Sequence, residues 1–131
     1  MTNRILLPEG WPRPKGYAHG MAAKGTAIFL GGQIGWDEKG VFASGFVGQV
    51  RQALENIVRL LKEAEATPEA VVRLTWFVTD LAAYNGSLKE IGKAYRDVFG
   101  THYPAMTLVQ VVGLVEPDAL VEIEATAVIP D

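Results

Sequence analysis

The sequence contains no cysteine, which excludes a disulfide framework, a thiol nucleophile and a thiolate metal site. Histidine is nearly as scarce, with only His19 and His102 present. These two are too isolated in the sequence to predict a metal centre, and no nucleophile–histidine–acid set is visible. We therefore expect neither a metal nor any other cofactor.

The chain also lacks an excess of positive charge and any long apolar run. Its formal net charge is −3, so bulk electrostatics give no reason to expect nucleic acid or an anionic membrane as a partner. No apolar run approaches the length of a membrane span, and Met1–Pro8 lacks the apolar core of a signal peptide. These features predict a soluble, cytoplasmic protein.

What is present suits one folded domain. The 131 residues are 49% hydrophobic and 21% charged, which is typical of a globular protein with a substantial core. No internal repeat, linker or low-complexity segment divides the chain. We predict a single domain over residues 1–131.

Hydrophobic periodicity predicts the central elements. A helix is expected from Ser44 to about Ala66, and a second one should end at Phe99–Gly100 after a capping box at Ser87 and Glu90. A buried strand is expected over 27–30, where the following glycine pair permits a bulge or close backbone approach. Another is expected over 72–79, with one face formed by Val72, Leu74, Trp76 and Val78.

Two further strands are predicted between Tyr103 and Thr126. The first is apolar on both faces and should be covered on both, and its polar Gln110 is expected to find a partner across a subunit interface. The second carries Glu122 and Glu124 on one face, because side chains two apart in a strand point the same way.

This order of elements predicts an α+β fold in which a single mixed β-sheet has two helices packed on one face. Two helices cover only one side of a sheet. The apolar far side therefore predicts self-association.

Several motifs occur together in a recognisable order. They are Gly16-Tyr17, Gly32-Gln33-Ile34, Gln49-x-x-Gln52-Ala53-Leu54-x-Asn56, Pro104-Ala105-Met106-Thr107 and Val121-Glu122-Ile123-Glu124-Ala125. This series resembles the reactive-intermediate deaminase family, RidA or YjgF, formerly called the endoribonuclease L-PSP family. The resemblance implies a chorismate-mutase-like fold and a homotrimer with a central β-barrel, holding a small-molecule ligand at the subunit interface.

Deaminating members of that family hydrolyse 2-imino or 2-enamino acids to 2-oxo acids and ammonia. The chemistry needs a carboxylate clamp, a positioned water and a proton shuttle. The resemblance implies that Glu122 is the catalytic group. The resemblance also implies substrate-binding residues, which are Tyr17, Gly31, Met106 and Thr107. We add His19 to this set as a nearby cation or proton donor.

The departures from the family pattern bear on activity. Met106 stands where the family has an arginine that clamps the substrate carboxylate, so we expect poor activity on 2-iminobutanoate and a pocket suited to neutral or apolar ligands. Gly92 replaces a common asparagine, and Glu65 replaces the usual glycine after the first helix.

Alternative functions remain open at this point. The chain is either a deaminase-like hydrolase or a non-catalytic trimer that binds a small metabolite. Glu122 by itself also fits a solvated surface carboxylate, and Tyr17 an ordinary packing residue. Ribonuclease activity is the weakest candidate, because the chain is acidic and has no basic aromatic stretch.

Overall fold

The computed structural model describes residues 3–131; Met1 and Thr2, the start of the predicted domain, lie outside the described residues. The elements in chain order are β1 (Arg4–Leu6), β2 (Gly20–Ala22), β3 (Gly25–Ile34), α1 (Gly45–Glu63), β4 (Val71–Val78), α2 (Leu81–Asn85), α3 (Leu88–Phe99), β5 (Ala105–Gln110) and β6 (Val121–Pro130). A short 3-10 turn, Pro68–Ala70, precedes β4. The predicted α+β class is confirmed.

The main sheet has four strands in the order β3-β6-β4-β5. The β4–β5 pair is parallel and the other two pairs are antiparallel, so the sheet is mixed, as predicted. A separate two-stranded sheet joins β1 to β2, which the sequence did not predict. Strands of three residues are too short to show an alternating pattern.

Both long helices lie on one face of the main sheet because of how the chain crosses it. The chain passes from β3 through α1 to β4, and then through α2 and α3 to β5, moving each time toward the same edge. Right-handed crossovers that advance in the same direction place their helices on the same face. The opposite face, which we call the open face, is not covered by a helix of the described residues.

The core lies between α1, α3 and the helix-facing side of the sheet. Its largest fully buried side chains include Leu54 and Ile57 from α1 and Leu74 and Ile123 from the sheet. Burial of one such side chain stabilises the fold by roughly 1.5–3 kcal/mol. These residues follow the predicted helical and alternating periods, so the layer arrangement follows from the sequence.

Gln49 is an exception to the predicted helix pattern. A glutamine in an amphipathic helix normally lies on the solvent side, yet Gln49 is only 4% exposed. Its side-chain Nε2 donates to the Asp118 carbonyl at 3.1 Å, and its Oε1 accepts from the Leu120 N–H at 2.8 Å. Gln49 therefore holds α1 against the segment that leads into β6.

Two strand predictions need correction. In β4, Val71 is fully buried in place of Val72, because the register with β6 shifts between Val71 and Arg73. Strand β3 is longer than predicted and is an edge strand, with Phe29 77% exposed rather than buried. The bulge allowed for at the glycine pair is present between Leu30 and Gln33.

The second predicted helix, α3, begins directly after Ser87 as expected, and the short helix α2 precedes it. Asp80 caps α2, its Oδ1 accepting from the Ala82 N–H at 2.9 Å. Ser87 precedes α3 but makes no side-chain capping hydrogen bond, so the capping-box prediction is wrong. Gly100 ends α3 with φ 74°, a backbone conformation that favours glycine, which confirms it as the C-cap residue.

Strand β5 is the other edge of the sheet and ends at Gln110. Gln110 is exposed in the single chain rather than buried, and its Oε1 accepts from the Leu81 N–H of the same chain at 2.8 Å, so this oxygen has a partner without a subunit interface. Met106 and Leu108 face the helices, whereas Thr107 and Val109 lie on the open face. One face of β5 thus packs toward the helices, and the other face lies on the open side of the sheet.

Candidate functional site

A cavity of about 520 Å³ opens between α3 and the β4–β5 edge of the sheet. We call it the helix-side cavity. Its lining includes five aromatic side chains and one thioether: Tyr17, Trp76, Tyr84, Tyr95, Tyr103 and Met106. A volume of this size is typical of small-molecule sites, and the lining offers apolar surface with a few polar ends.

Tyr17 reaches this cavity because the loop that carries it is anchored to the start of β5. The Ala18 N–H donates to the Pro104 carbonyl at 2.9 Å, and Ala18 forms a parallel bridge with Ala105. Ala18 is itself buried. The structure therefore brings together two of the predicted site residues, Tyr17 and Met106.

His19 lies beside Tyr17 without lining the helix-side cavity. Its ring is edge-on to that of Tyr17, with centroids 5.4 Å apart, and edge-on to Trp11 at 5.1 Å. His19 is exposed. In the chain alone, its contact with the site is through the Tyr17 ring.

The deeper tyrosines of the cavity are held as neutral phenols. The Tyr95 hydroxyl donates to the His102 carbonyl at 2.5 Å, and its ring stacks on Tyr103 with centroids 5.1 Å apart. Burial, together with the neighbouring Tyr103, raises the pKa of Tyr95 well above its ordinary value. Burial also raises the pKa of Tyr84. These hydroxyls can donate hydrogen bonds but cannot act as bases near neutral pH.

Glu122 lies on the open face, together with Glu124, as the sequence predicted. Its carboxylate occupies the space that a Cβ at position 32 would need, so a larger residue there would displace the Glu122 carboxylate from this position. Gly31 is exposed beside it in the β3 bulge and has no such contact. The Gly31-Gly32 pair and Glu122 thus form one local unit, which we call the Glu122 half-site.

The helix-side cavity and the Glu122 half-site face opposite sides of the sheet. Met106 pairs through Leu74 with Ala125, on the buried helix-facing side. Glu122 pairs with Phe77 on the open side. One chain therefore does not bring Glu122 and Met106 together.

Thr107 follows Met106 in sequence but faces away from the cavity. It is exposed on the open face, where it pairs with Thr75, which in turn pairs with Glu124. In the chain alone, Thr107 is thus on the side of the carboxylates rather than on the side of Met106.

Two cationic residues of the cavity were missed from the sequence. Lys15 and Arg96 both belong to its lining, which includes no aspartate or glutamate. The available signal was Gly92, which lies one helical turn before Arg96 and stands where the motif resemblance implies an asparagine. Its meaning depends on knowing which face of α3 borders the cavity.

Within residues 3–131, no group of three or more potential ligand side chains is placed to hold a metal ion. The helices of that range include none long and apolar enough to cross a membrane.

The fold and cavity define a small α+β domain with a pocket of small-molecule size. The family profile described as Endoribonuclease L-PSP matches residues 12–129. The chain belongs to this family, the RidA/YjgF family that its motifs resemble.

Relatives and solved structures agree with this assignment. A 3-aminoacrylate deaminase, RutC, from Acinetobacter baylyi is 33% identical over 129 residues, covering 97% of this chain and 98% of the relative. A RutC family protein of Pyrococcus abyssi is also 33% identical, with the same coverage of both chains. The crystal structure of YyfB from Yersinia pestis, a Rid family protein of unknown function, has a TM-score of 0.86 and 30% identity, covering 98% of this chain and 100% of that one.

Proposed function

We propose that this protein is a deaminase-like hydrolase that acts on an imine, an enamine or a related small metabolite at a site shared by two copies of the chain. The observation that carries the proposal is the separation of Glu122 and the helix-side cavity onto opposite faces of one sheet. Family membership and the 33% identity to a 3-aminoacrylate deaminase support the reaction class.

The exposed surfaces support assembly into a homotrimer. The open face carries apolar side chains in contact with solvent, with Phe29 77% and Val109 42% exposed. The Glu122 half-site lies at the β3 side of the sheet and Met106 lies in β5, the opposite edge. Closing such sheets into a central barrel removes both free edges and places the β3 side of one copy next to β5 of another.

The Glu122 half-site of one copy and the helix-side cavity of another each supply part of the chemistry. Glu122 takes a proton from a water molecule as the water oxygen bonds to the C=N carbon, and it passes that proton to the nitrogen to give a carbinolamine. Glu122 then takes the proton of the new hydroxyl group and delivers it to the nitrogen as the C–N bond breaks, so that ammonia leaves and a carbonyl compound remains. Tyr17 positions the substrate and Met106 supplies an apolar wall.

The remaining assigned residues act at the same interface in this proposal. The backbone at Gly31 contributes a polar group beside Glu122. Thr107 contacts the neighbouring copy from the open face, and His19 contributes through Tyr17. Their substrate-binding roles stay predictions.

A non-catalytic trimer that binds a small metabolite is the second candidate. The observation that favours it is Met106, a thioether where the resemblance implies an arginine. A thioether is a weak acceptor and no donor, so it cannot clamp a carboxylate.

The test compares Glu122→Gln with Glu124→Gln. The amide cannot exchange the proton, so we expect Glu122→Gln to lower the rate of ammonia release from imines and enamines generated in situ by roughly 10²- to 10⁴-fold. Glu124→Gln is the matched control, since Glu124 lies on the same face of β6 outside the Glu122 half-site, and its effect should be mild. Equal, measurable activity in wild type and Glu122→Gln would show that Glu122 is an ordinary surface carboxylate, whereas no ammonia release by the wild type would leave the binding function as the explanation.

A further inference from the structure

Arg96 and Lys15 give the helix-side cavity a positive charge that no acidic lining residue offsets. Neither side chain has an ion pair or a side-chain hydrogen bond within residues 3–131. Lys93, on the same helix as Arg96, does form an ion pair. Its Nζ lies 2.8 Å from the Asp97 carboxylate, which also pairs with the Arg51 guanidinium at 2.8 Å. Of these two cations of α3, Lys93 is therefore held by an ion pair away from the cavity, whereas Arg96 lines the cavity.

Gly92 leaves room for Arg96 along this wall. A Cβ at position 92 would be 3.2 Å from the Arg96 guanidinium nitrogen, closer than side chains normally pack. A larger residue there would require the guanidinium to shift by a few tenths of an ångström or more. Gly92 and Met106 thus line the same cavity, Gly92 from helix α3 and Met106 from strand β5.

We propose that Arg96 is the anion-binding residue of this cavity, and that the ligand is a carboxylate with an apolar body lying against Met106 and the aromatic walls. A guanidinium presents a planar fork of donors that matches a carboxylate. Because Arg96 projects from α3, the carboxylate lies on the helix side and the apolar body on the sheet side. The inference rests on the proposed function in placing the substrate in this cavity, and it changes which end of the substrate is clamped.

The inference revises what Met106 implies. Loss of an arginine at position 106 predicts a preference for neutral ligands if the cavity has no other cation. With Arg96 present, the cavity should still prefer anions, provided that they are long enough to reach α3. Short 2-imino acids would remain poor ligands.

The experiment measures binding by the intact protein without requiring turnover. Phenylacetate is compared with its neutral amide, phenylacetamide, by calorimetric titration. We expect wild type to bind the anion about three- to tenfold more tightly, as suits an ion pair at an exposed cavity mouth. Arg96→Gln should abolish this preference while leaving binding of the amide unchanged.

Two further variants sharpen the result. Lys93→Gln removes one positive charge from the same helix without touching the cavity lining, so it should keep the wild-type preference. Gly92→Asn retains Arg96 but crowds its guanidinium, so it should weaken the preference. A preference that survives Arg96→Gln, or a wild type that binds both compounds equally or neither, would overturn the inference.

The outcome is separable from that of the proposed function. Loss of the anion preference in Arg96→Gln supports the anion site even if Glu122→Gln proves fully active. An unchanged preference overturns the anion site even if Glu122→Gln loses ammonia release.

Discussion

At the scale of single residues, the content of the helix-side cavity depends on a few side chains that the sequence shows but does not place. The motif resemblance indicated Tyr17 and Met106 as parts of one site, and both residues line the helix-side cavity. Arg96 could not be found in this way, because its contribution depends on which face of α3 borders the cavity. Gly92 became meaningful only through its distance to the Arg96 guanidinium.

Glu65 is a second position where the motif resemblance implies a different residue, glycine, and where the backbone of this chain has a physical consequence. Its φ of 57° lies in the left-handed region, where a non-glycine residue costs roughly 1–2 kcal/mol. We expect Glu65→Gly to raise the free energy of unfolding by about 0.5–1 kcal/mol, after the entropy that glycine adds to the unfolded chain.

Urea denaturation of Glu65→Gly, with Glu55→Gly as control, tests this expectation. Glu55 is exposed in the middle of α1, where glycine should lower stability by about 1 kcal/mol. A loss of stability in both variants would show that the Glu65 backbone is not strained.

At the scale of elements, periodicity predicted those parts whose stability comes from a repeating apolar face. Helix α1, strand β4 and the single-sided sheet followed from such patterns. The elements that were missed or misplaced have specific reasons. Strands β1 and β2 are too short to show a period, and the register shift between β4 and β6 buries Val71 instead of the predicted Val72. Gln49 and Gln110 bond to backbone groups of other segments, which no local pattern reveals.

Gln49 offers a test of how strongly one polar side chain joins two elements. Gln49→Leu keeps a similar volume but leaves the Leu120 N–H and the Asp118 carbonyl without their partner. We expect a loss of about 2–3 kcal/mol in the free energy of unfolding, because unsatisfied buried groups cost more than the apolar leucine returns.

The matched control for that test is Gln52→Leu, one turn along the same helix. Within residues 3–131, the Gln52 side chain donates only to the Asn56 side chain, at 2.9 Å, so its replacement should cost less than about 1 kcal/mol. Equal losses of unfolding free energy in the two variants would show that the Gln49 hydrogen bonds contribute no more than an ordinary side-chain hydrogen bond within a helix.

At the scale of the whole molecule, the sequence was sufficient for the single α+β architecture and for the family. It could not show that the two groups of assigned residues lie on opposite faces of the sheet. That separation depends on the register of β4 with both β5 and β6, which is set by the assembled sheet. The account as a whole therefore depends on a second copy of the chain to bring Glu122 to the helix-side cavity.

Subunit complementation tests this central claim most directly. Tyr17→Ala impairs the cavity and Glu122→Gln impairs the opposite face, so each homotrimer should release ammonia poorly. After the two variants are co-refolded in equal amounts, about a quarter of the sites in a closed ring pair an intact cavity with an intact Glu122, and activity should recover to about a quarter of wild type. Light scattering of the mixture should give three times the 14.2 kDa chain mass. A monomer, or a mixture no more active than the average of its two parents, would contradict the shared site.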